Sequence, residues 1–309
     1  MIVARCLAAL LAAALLVGCG EGEPQTVASA PSSEEAGRLS VYVVNYPLQY
    51  FAERIGGESV KVVFPAPADE DPAYWSPDPD VIAAYQGADL ILLNGAGYAA
   101  WVQRASLPDA RLVDTSAGFR DQLIPLEEGV THSHGPQGAH THTGNAFTTW
   151  LDPSLAILQA RAVRDAFAKT RPDRDAAFQQ GFEALEAELR DLDQRLTSAA
   201  AAIGDTPLLF SHPVYQYLIR RYGLNAHSVH WEPDQAPTDA MWRELEELTA
   251  AHPARWMVWE GEPADETVKR LETMGLGSLV YTPSANAPGE GDFLSVMREN
   301  AAGLDRSLR

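Results

Sequence analysis

Residues 173–202 read DRDAAFQQGFEALEAELRDLDQRLTSAAAA. They carry a helical pattern with almost no breaker, and at about 1.5 Å per residue they predict a helix of roughly 40 Å, long enough to cross a whole domain. On either side of this segment the chain alternates strands with helices. Upstream, LSVYVVNY (39–46) alternates and is β-branched, as a strand should be, and PLQYFAERIGG (47–57) follows at helical spacing and stops at Gly56-Gly57. VKVVFPAP (60–67) is a second strand, VIAAYQGA (81–88) a helix, DLILLNGAG (89–97) a continuous apolar strand of the buried parallel kind, and RLVDTS (111–116) one more strand. TWLDPSLAILQARAVRDAF (149–167) opens a helix with Asp152 as N-cap and Pro153 at the first helical position.

Downstream the rhythm repeats. The strands are PLLFSH (207–212), AHSVHWE (226–232), WMVWEG (256–261) and SLVYTP (278–283), separated by helical segments, with FLSVMRENAAGL (293–304) closing the chain as a helix. The expected fold is α/β: two α/β lobes with mostly parallel sheets, joined by one long spanning helix. A ligand cleft is expected between the lobes, beyond the carboxyl ends of the strands. In this reading residues 39–152 form the N-terminal lobe, 153–203 the linking helices and 204–309 the C-terminal lobe.

The start of the chain is built like an address. Arg5 supplies a positive charge, residues 7–17 (LAALLAAALLV) form an uncharged apolar run, and Leu16-Val17-Gly18-Cys19 places small residues before a cysteine. This is the layout of a secretory signal, and eleven apolar residues fall short of the roughly 20 needed to span a bilayer. A cysteine just after the cut resembles the lipobox of bacterial lipoproteins. Residues 1–18 are therefore expected to be a signal peptide, Cys19 the lipidated residue, and 19–38 a polar, flexible tether. The expected location is periplasmic or otherwise extracytoplasmic, with lipid as the only attachment to a membrane. The chain has two cysteines, Cys6 and Cys19, so the mature protein has no internal disulfide and must be held by its core. The formal net charge of −19 becomes −20 once Arg5 leaves, and no basic patch is visible. Nucleic acid and anionic membrane surfaces are excluded as partners on that ground, and a monomer is expected.

Four of the eight histidines sit in THSHGPQGAHTH: His132, His134, His140 and His142. Imidazole is the commonest side-chain ligand for zinc and its neighbours, and two H-x-H pairs in a glycine-bearing loop (129–144) can wrap an ion without a preformed fold. Such a loop serves either as a collector or as part of the main site. His212 differs, because it lies where a strand gives way to a helix, the position from which an α/β lobe presents ligands. His227 and His230, three apart on an expected strand, point to opposite faces and cannot both enter one site through it. His252, near a helix end, is a dipole partner. Glu232 and Glu260 end strands and can point into the cleft. Asp69, Glu70, Asp71, Asp78 and Asp80 form a proline-punctuated acidic loop, read as a solvated turn cluster. There is no H-E-x-x-H, G-x-S-x-G or G-x-x-x-x-G-K-[ST] motif and no free catalytic cysteine, so nothing argues for an enzyme.

Taken in order, these segments resemble the zinc/manganese substrate-binding proteins of bacterial ABC importers, the ZnuA/TroA-like group. The resemblance rests on VYVVNYPLQYFAERIGGESVKV (41–62), DPAYWSPDPDVIAAYQGADLILLNGAGYAAW (71–101), the His-rich loop followed by TWLDP, SHPVYQYLIRRYGL (211–224), VYTP and MRENAAGL. It implies metal capture outside the cytoplasm, with zinc as the ion, manganese as the alternative and an ABC permease as partner. The family's usual ligands do not carry over, however. Ala73 stands at its first histidine, Thr148 at its second and Thr282 at its last carboxylate, and only His212 fits. Since His142 is six residues from Thr148, an extended chain reaches about 20 Å, and the loop can fold back toward the cleft. The expected site is therefore His212 with loop histidines and Glu260 or Glu232 as carboxylate, a mixed set that suits a tetrahedral ion. The alternative is a member that has lost metal binding and acts as an interaction module or holds another small ligand against Trp75, Trp231 and Tyr215.

Overall fold

The computed structural model describes residues 37–126, 131–133, 139–141 and 144–307. Cys19 and the expected leader, and likewise His134 and His142, lie outside the described residues.

The N-terminal lobe opens on β1 (Leu39–Val43), which alternates buried and half-buried positions. Helix α1 (Tyr46–Gly56) follows, capped by Asn45, whose side chain accepts from the Leu48 N–H. β2 (Val60–Val63), α2 (Pro79–Gly87), β3 (Leu90–Leu93) and β4 (Leu112–Asp114) complete the sheet. All its pairings are parallel, in the order β2-β1-β3-β4. Part of the histidine loop, read from sequence as irregular, pairs as an antiparallel ribbon of β5 (Thr131–Ser133) and β6 (Ala139–Thr141), with His132 opposite His140.

Asp152 then caps α3 (Pro153–Thr170), accepting from the Ser154 N–H. A single 3-10 turn at Pro172–Arg174 precedes α4 (Asp175–Ile203), so the long helix starts two residues later than its sequence pattern, because Pro172 fixes a tighter turn there. The C-terminal lobe comprises β7 (Leu208–Phe210), α5 (Gln216–Tyr222), β8 (Ala226–Ser228), α6 (Asp239–Ala251), β9 (Trp256–Trp259), α7 (Asp265–Thr273), β10 (Gly277–Val280) and α8 (Phe293–Ser307). Its sheet is again parallel, in the order β10-β9-β7-β8. Renumbered within its lobe, that order is the N-terminal lobe's order read from the other edge, so the two lobes share one topology.

The long helix is the common seat. Phe178, Phe182, Leu185, Leu189, Leu192, Leu196, Ala199 and Ile203 form its buried stripe at three- and four-residue spacing. That stripe packs on α1 and α3 of the first lobe and on α8 at the end of the chain. No described helix is long and apolar enough to cross a membrane.

Under the carboxyl ends of the first sheet lies a closed polar network. The Gln159 amide nitrogen donates to Asn94 Oδ1 (3.1 Å) and Thr115 Oγ1 (3.1 Å), and its oxygen accepts from Thr149 Oγ1 (3.1 Å). Asn45 donates to Asn94 Oδ1, and Asn94 donates to the Phe147 carbonyl at 2.8 Å. Asn45, Asn94, Thr115, Thr149 and Gln159 are all buried. A low-dielectric interior strengthens such bonds and penalises any that are missing, so the network fixes where the chain re-emerges at Phe147 and Thr148.

Two outcomes test this packing. Gly181 lets α4 approach the end of α1: a Cβ there would sit 2.7 Å from the Ile55 carbonyl oxygen and 2.8 Å from that of Arg54. Gly181→Val is expected to cost about 1–3 kcal/mol in denaturant unfolding, because backbone cannot step aside as a side chain can. Gln159→Leu, which takes the acceptor from Thr149 and one donor each from Asn94 Oδ1 and Thr115 Oγ1, is expected to cost about 1–3 kcal/mol by the same measurement.

Candidate metal centre

In a parallel sheet all carboxyl ends face one way, and in the second lobe every strand delivers a residue to the same place. Beyond β7, the Ser211 N–H bonds the Val258 carbonyl and the Trp231 N–H bonds the Ser211 carbonyl, extending the ladder by one residue on each side. His212 therefore leaves the sheet from a fixed point and is only 3 % exposed. Glu260 follows β9 directly, Glu232 lies four residues past β8, and Thr282 two residues past β10.

Three of these side chains converge. His212, Glu232 and Glu260 each offer a ligand atom, and these atoms lie within 4.8 Å of one another. His212 Nδ1 is 3.7 Å from Glu232 Oε1. That is too long for a hydrogen bond but near the separation of two ligands on one tetrahedral ion, since bonds of about 2.0–2.2 Å set ligands roughly 3.3–3.6 Å apart. Among the described residues this is the one group of three such side chains. Imidazole nitrogen with carboxylate oxygens is a donor set that zinc accepts.

The group opens into a cavity of about 750 Å³ between the lobes. Its far wall comes from the first lobe and includes Asp71, Tyr74, Tyr98, Phe147, Thr148 and Trp150. Four of those rings pack edge-on in three pairs: Phe147 lies 5.1 Å from Tyr98 and 6.2 Å from Tyr74, and Trp150 lies 5.8 Å from Tyr98. The field inside is negative. Burial first, and then the charges of Asp71, Glu260 and Glu232, push the Tyr74 phenol well above its ordinary range. Burial and then Asp71 do the same to Tyr98.

The lobes are pinned around this space. Trp150 Nε1 donates to the Pro283 carbonyl at 2.8 Å, and the Asn286 amide donates to the Glu70 carbonyl at 2.7 Å. The Tyr46 N–H donates to the Ala285 carbonyl, and Tyr217 OH to the Ala146 carbonyl.

Each residue read from sequence has a definite place. His212, Glu232 and Glu260 come together. The side chains of His132 and His140, and all of His134 and His142, are not among the described groups. Ala73 is buried away from the cavity lining, whereas Thr148 and Thr282 line it. Thr148 is already engaged, donating its hydroxyl to the Val214 carbonyl. Thr282 is clamped through its backbone by Asn300.

Three readings need correction. The strand expected over 226–232 ends at Ser228, short of His230, although His227 and His230 do part as expected. His230 lines the cavity, with its ring 6.1 Å from that of His212, while His227 packs 4.6 Å from His252 instead. Sequence reasoning passed over His230 because it assumed a longer strand. Its W-E sequel, a tryptophan that dives into the core and a carboxylate that returns, was the signal available. Second, Trp75, Trp231 and Tyr215 are core residues rather than cleft lining; the aromatic wall is Tyr74, Phe147, Tyr98 and Trp150. Third, the acidic loop divides. Asp69, Glu70 and Asp71 line the cavity, and Asp78 caps α2 with Asp80 in its first turn. His252 caps the end of α6, and its ring nitrogen lies 3.0 Å from the Leu208 carbonyl.

Comparison with known proteins follows the same geometry. The zinc-binding lipoprotein AdcA of Streptococcus pneumoniae is 24% identical over 292 residues, covering 91% of this chain and 58% of AdcA, so the chain spans little more than half of that relative. The high-affinity zinc uptake system protein ZnuA of Bacillus subtilis is 26% identical over 315 residues, covering 97% of this chain and 96% of its own. The crystal structure of the metal-dependent lipoprotein YcdH from Bacillus subtilis superposes with a TM-score of 0.75 at 23% identity, covering 88% of this chain and 100% of that one. Residues 41–307 match the family described as zinc-uptake complex component A, periplasmic, and the chain is a member of that ZnuA family.

Proposed function

We propose that this protein is the extracytoplasmic capture component of a metal importer, binding zinc in its interlobe cleft and presenting it to an ABC permease. The observation that carries the reading is the convergence of His212, Glu232 and Glu260 at the carboxyl ends of three adjacent strands. The similar proteins are a zinc-binding lipoprotein and a zinc uptake protein, which supports the same cargo here. One imidazole and two carboxylates neutralise a divalent ion. The set is richer in oxygen than a multi-histidine site, so manganese is the second candidate.

The histidine loop has a separate part in this proposal. Three ligand atoms already meet in the cleft without it, so His132, His134, His140 and His142 act as a collector that gathers ions and passes them on to the cleft. Four imidazoles within eleven residues of sequence have the capacity for an ion of their own. Cys19 carries the lipid that keeps the capture protein beside its permease, and the pinned lobes allow only modest closure on the ion.

Equilibrium dialysis of the metal-free protein against Zn2+ is expected to give one tightly held ion in the cleft. His212→Ala and Glu260→Gln should each weaken it by on the order of a hundredfold or more, since even the outer partners of metal ligands are worth about 10–100-fold. Deleting residues 131–143 should lower total zinc capacity and leave the tight ion in place. Absence of any tight ion, or a tight ion indifferent to both substitutions, would sink the proposal. For the anchor, Cys19→Ser should move the protein from the detergent phase to the aqueous phase on Triton X-114 partition; unchanged partition would remove the lipid from the account.

A further inference from the structure

Three ligand atoms meet in the cleft, and a tetrahedral ion takes four. The charge is already balanced, because the carboxylates of Glu232 and Glu260 match a divalent ion and a neutral His212 adds nothing. An uncharged fourth donor keeps that balance, whereas an extra charge in a half-buried site carries a desolvation cost. Imidazole meets the need, and among the described residues that line the cavity the second imidazole belongs to His230. Asp71 of the facing lobe would leave the site with a net negative charge. Its carboxylate is also turned to its own chain, accepting the Ala73 N–H at 2.9 Å.

The backbone sets His230 beside His212. The Val229 N–H reaches the Phe210 carbonyl at 2.8 Å and the Trp231 N–H the Ser211 carbonyl at 2.7 Å. The residue between them is thus held on both sides against the segment from which His212 leaves. Trp231 enters the second core, while His230 and Glu232, one on each side of it, both line the cavity. The two imidazole rings lie 6.1 Å apart between centroids, at 89° to one another. Two imidazoles on one tetrahedral zinc, with Zn–N bonds of about 2.0–2.1 Å, put their centroids roughly 5 Å apart. The observed spacing exceeds that by about 1 Å, a gap that rotation of one side chain covers. His230 is the one placed to rotate. Its side chain is exposed and can change rotamer quickly, whereas that of His212 is buried and stays.

We propose that His230 is the fourth ligand of the captured ion. Its ring turns inward and closes, with His212, Glu232 and Glu260, a site of two imidazoles and two carboxylates drawn wholly from the second lobe. The inference rests on the zinc-binding reading above. As the most exposed of the four, His230 makes the last bond when the ion enters and breaks the first when it leaves. It also sets the choice of ion. Imidazole suits zinc while carboxylate and water suit manganese, so the second nitrogen tips an oxygen-rich set toward zinc.

X-ray absorption at the zinc edge counts imidazoles directly, because their outer ring atoms scatter in a pattern that carboxylates lack. The full chain, purified metal-free, is loaded with less zinc than protein so that the tightest site alone fills. The expected result is two imidazoles in the wild type and one in His230→Ala. In competition with a chromophoric chelator, that variant should lose on the order of tenfold or more in zinc affinity and less than about threefold in manganese affinity. The wild-type count stands even if the variant folds poorly. One imidazole in the wild type, two in both proteins, or equal losses for the two ions overturns this inference and leaves the zinc-binding reading intact. No tight zinc, or tight zinc indifferent to His212→Ala, overturns that reading and this inference with it.

Discussion

One apolar stripe on α4 decides how everything else is placed. The helices of the first lobe and the final helix of the chain must bury their faces against the same row of Phe178, Phe182, Leu185, Leu189, Leu192, Leu196 and Ile203. A stiff rod that seats both sides sets the spacing between the two sheets. Because both sheets are parallel, their carboxyl ends present residues on one edge only. The cleft is what remains where those edges meet, and the hydrogen bonds from Trp150 and Asn286 hold its two rims together.

Within that frame the candidate ligands stand apart from the positions that the resemblance implies. Three of the four positions where the resemblance places ligands hold Ala73, Thr148 and Thr282, and two of these serve structure instead: Ala73 fills space and Thr148 ties the rim to Val214. Glu232 and Glu260, from strands beside that of His212, supply negative charge from the second lobe. A site concentrated on one lobe needs less from the other, which is consistent with a first-lobe wall made of aromatic rings and hydroxyls. The Gln159 network beneath that wall keeps Phe147 and Thr148 in place without contributing a ligand.

Much of this was legible in the sequence. The long helix stood out because an uninterrupted helical period over thirty residues has few alternative folds, and the strands because β-branched and apolar runs between helices have few alternatives in an α/β chain. His212 was legible because a strand-to-helix junction marks a carboxyl end. The end of β8 was not. Ala226 to Glu232 has the composition of one strand, but regular pairing stops at Ser228, and beyond it only the Val229 and Trp231 N–H groups still reach the Phe210 and Ser211 carbonyls, with Trp231 buried at 3 % in the second core. That irregular stretch carries His230 and Glu232 to the cavity. The closeness of Glu232 to Glu260 was also hidden, since it follows from the sheet order β9-β7-β8 and not from any spacing along the chain.

The central claim is that a divalent ion sits on His212, Glu232 and Glu260. Anomalous diffraction at the zinc absorption edge, from crystals of the zinc-loaded protein, addresses it directly. The account predicts a peak bounded by His212 Nδ1 or Nε2 and one oxygen from each glutamate, at about 2.0–2.2 Å from each. A single peak held by the 131–143 loop alone, with His212 and both glutamates unliganded, would contradict it.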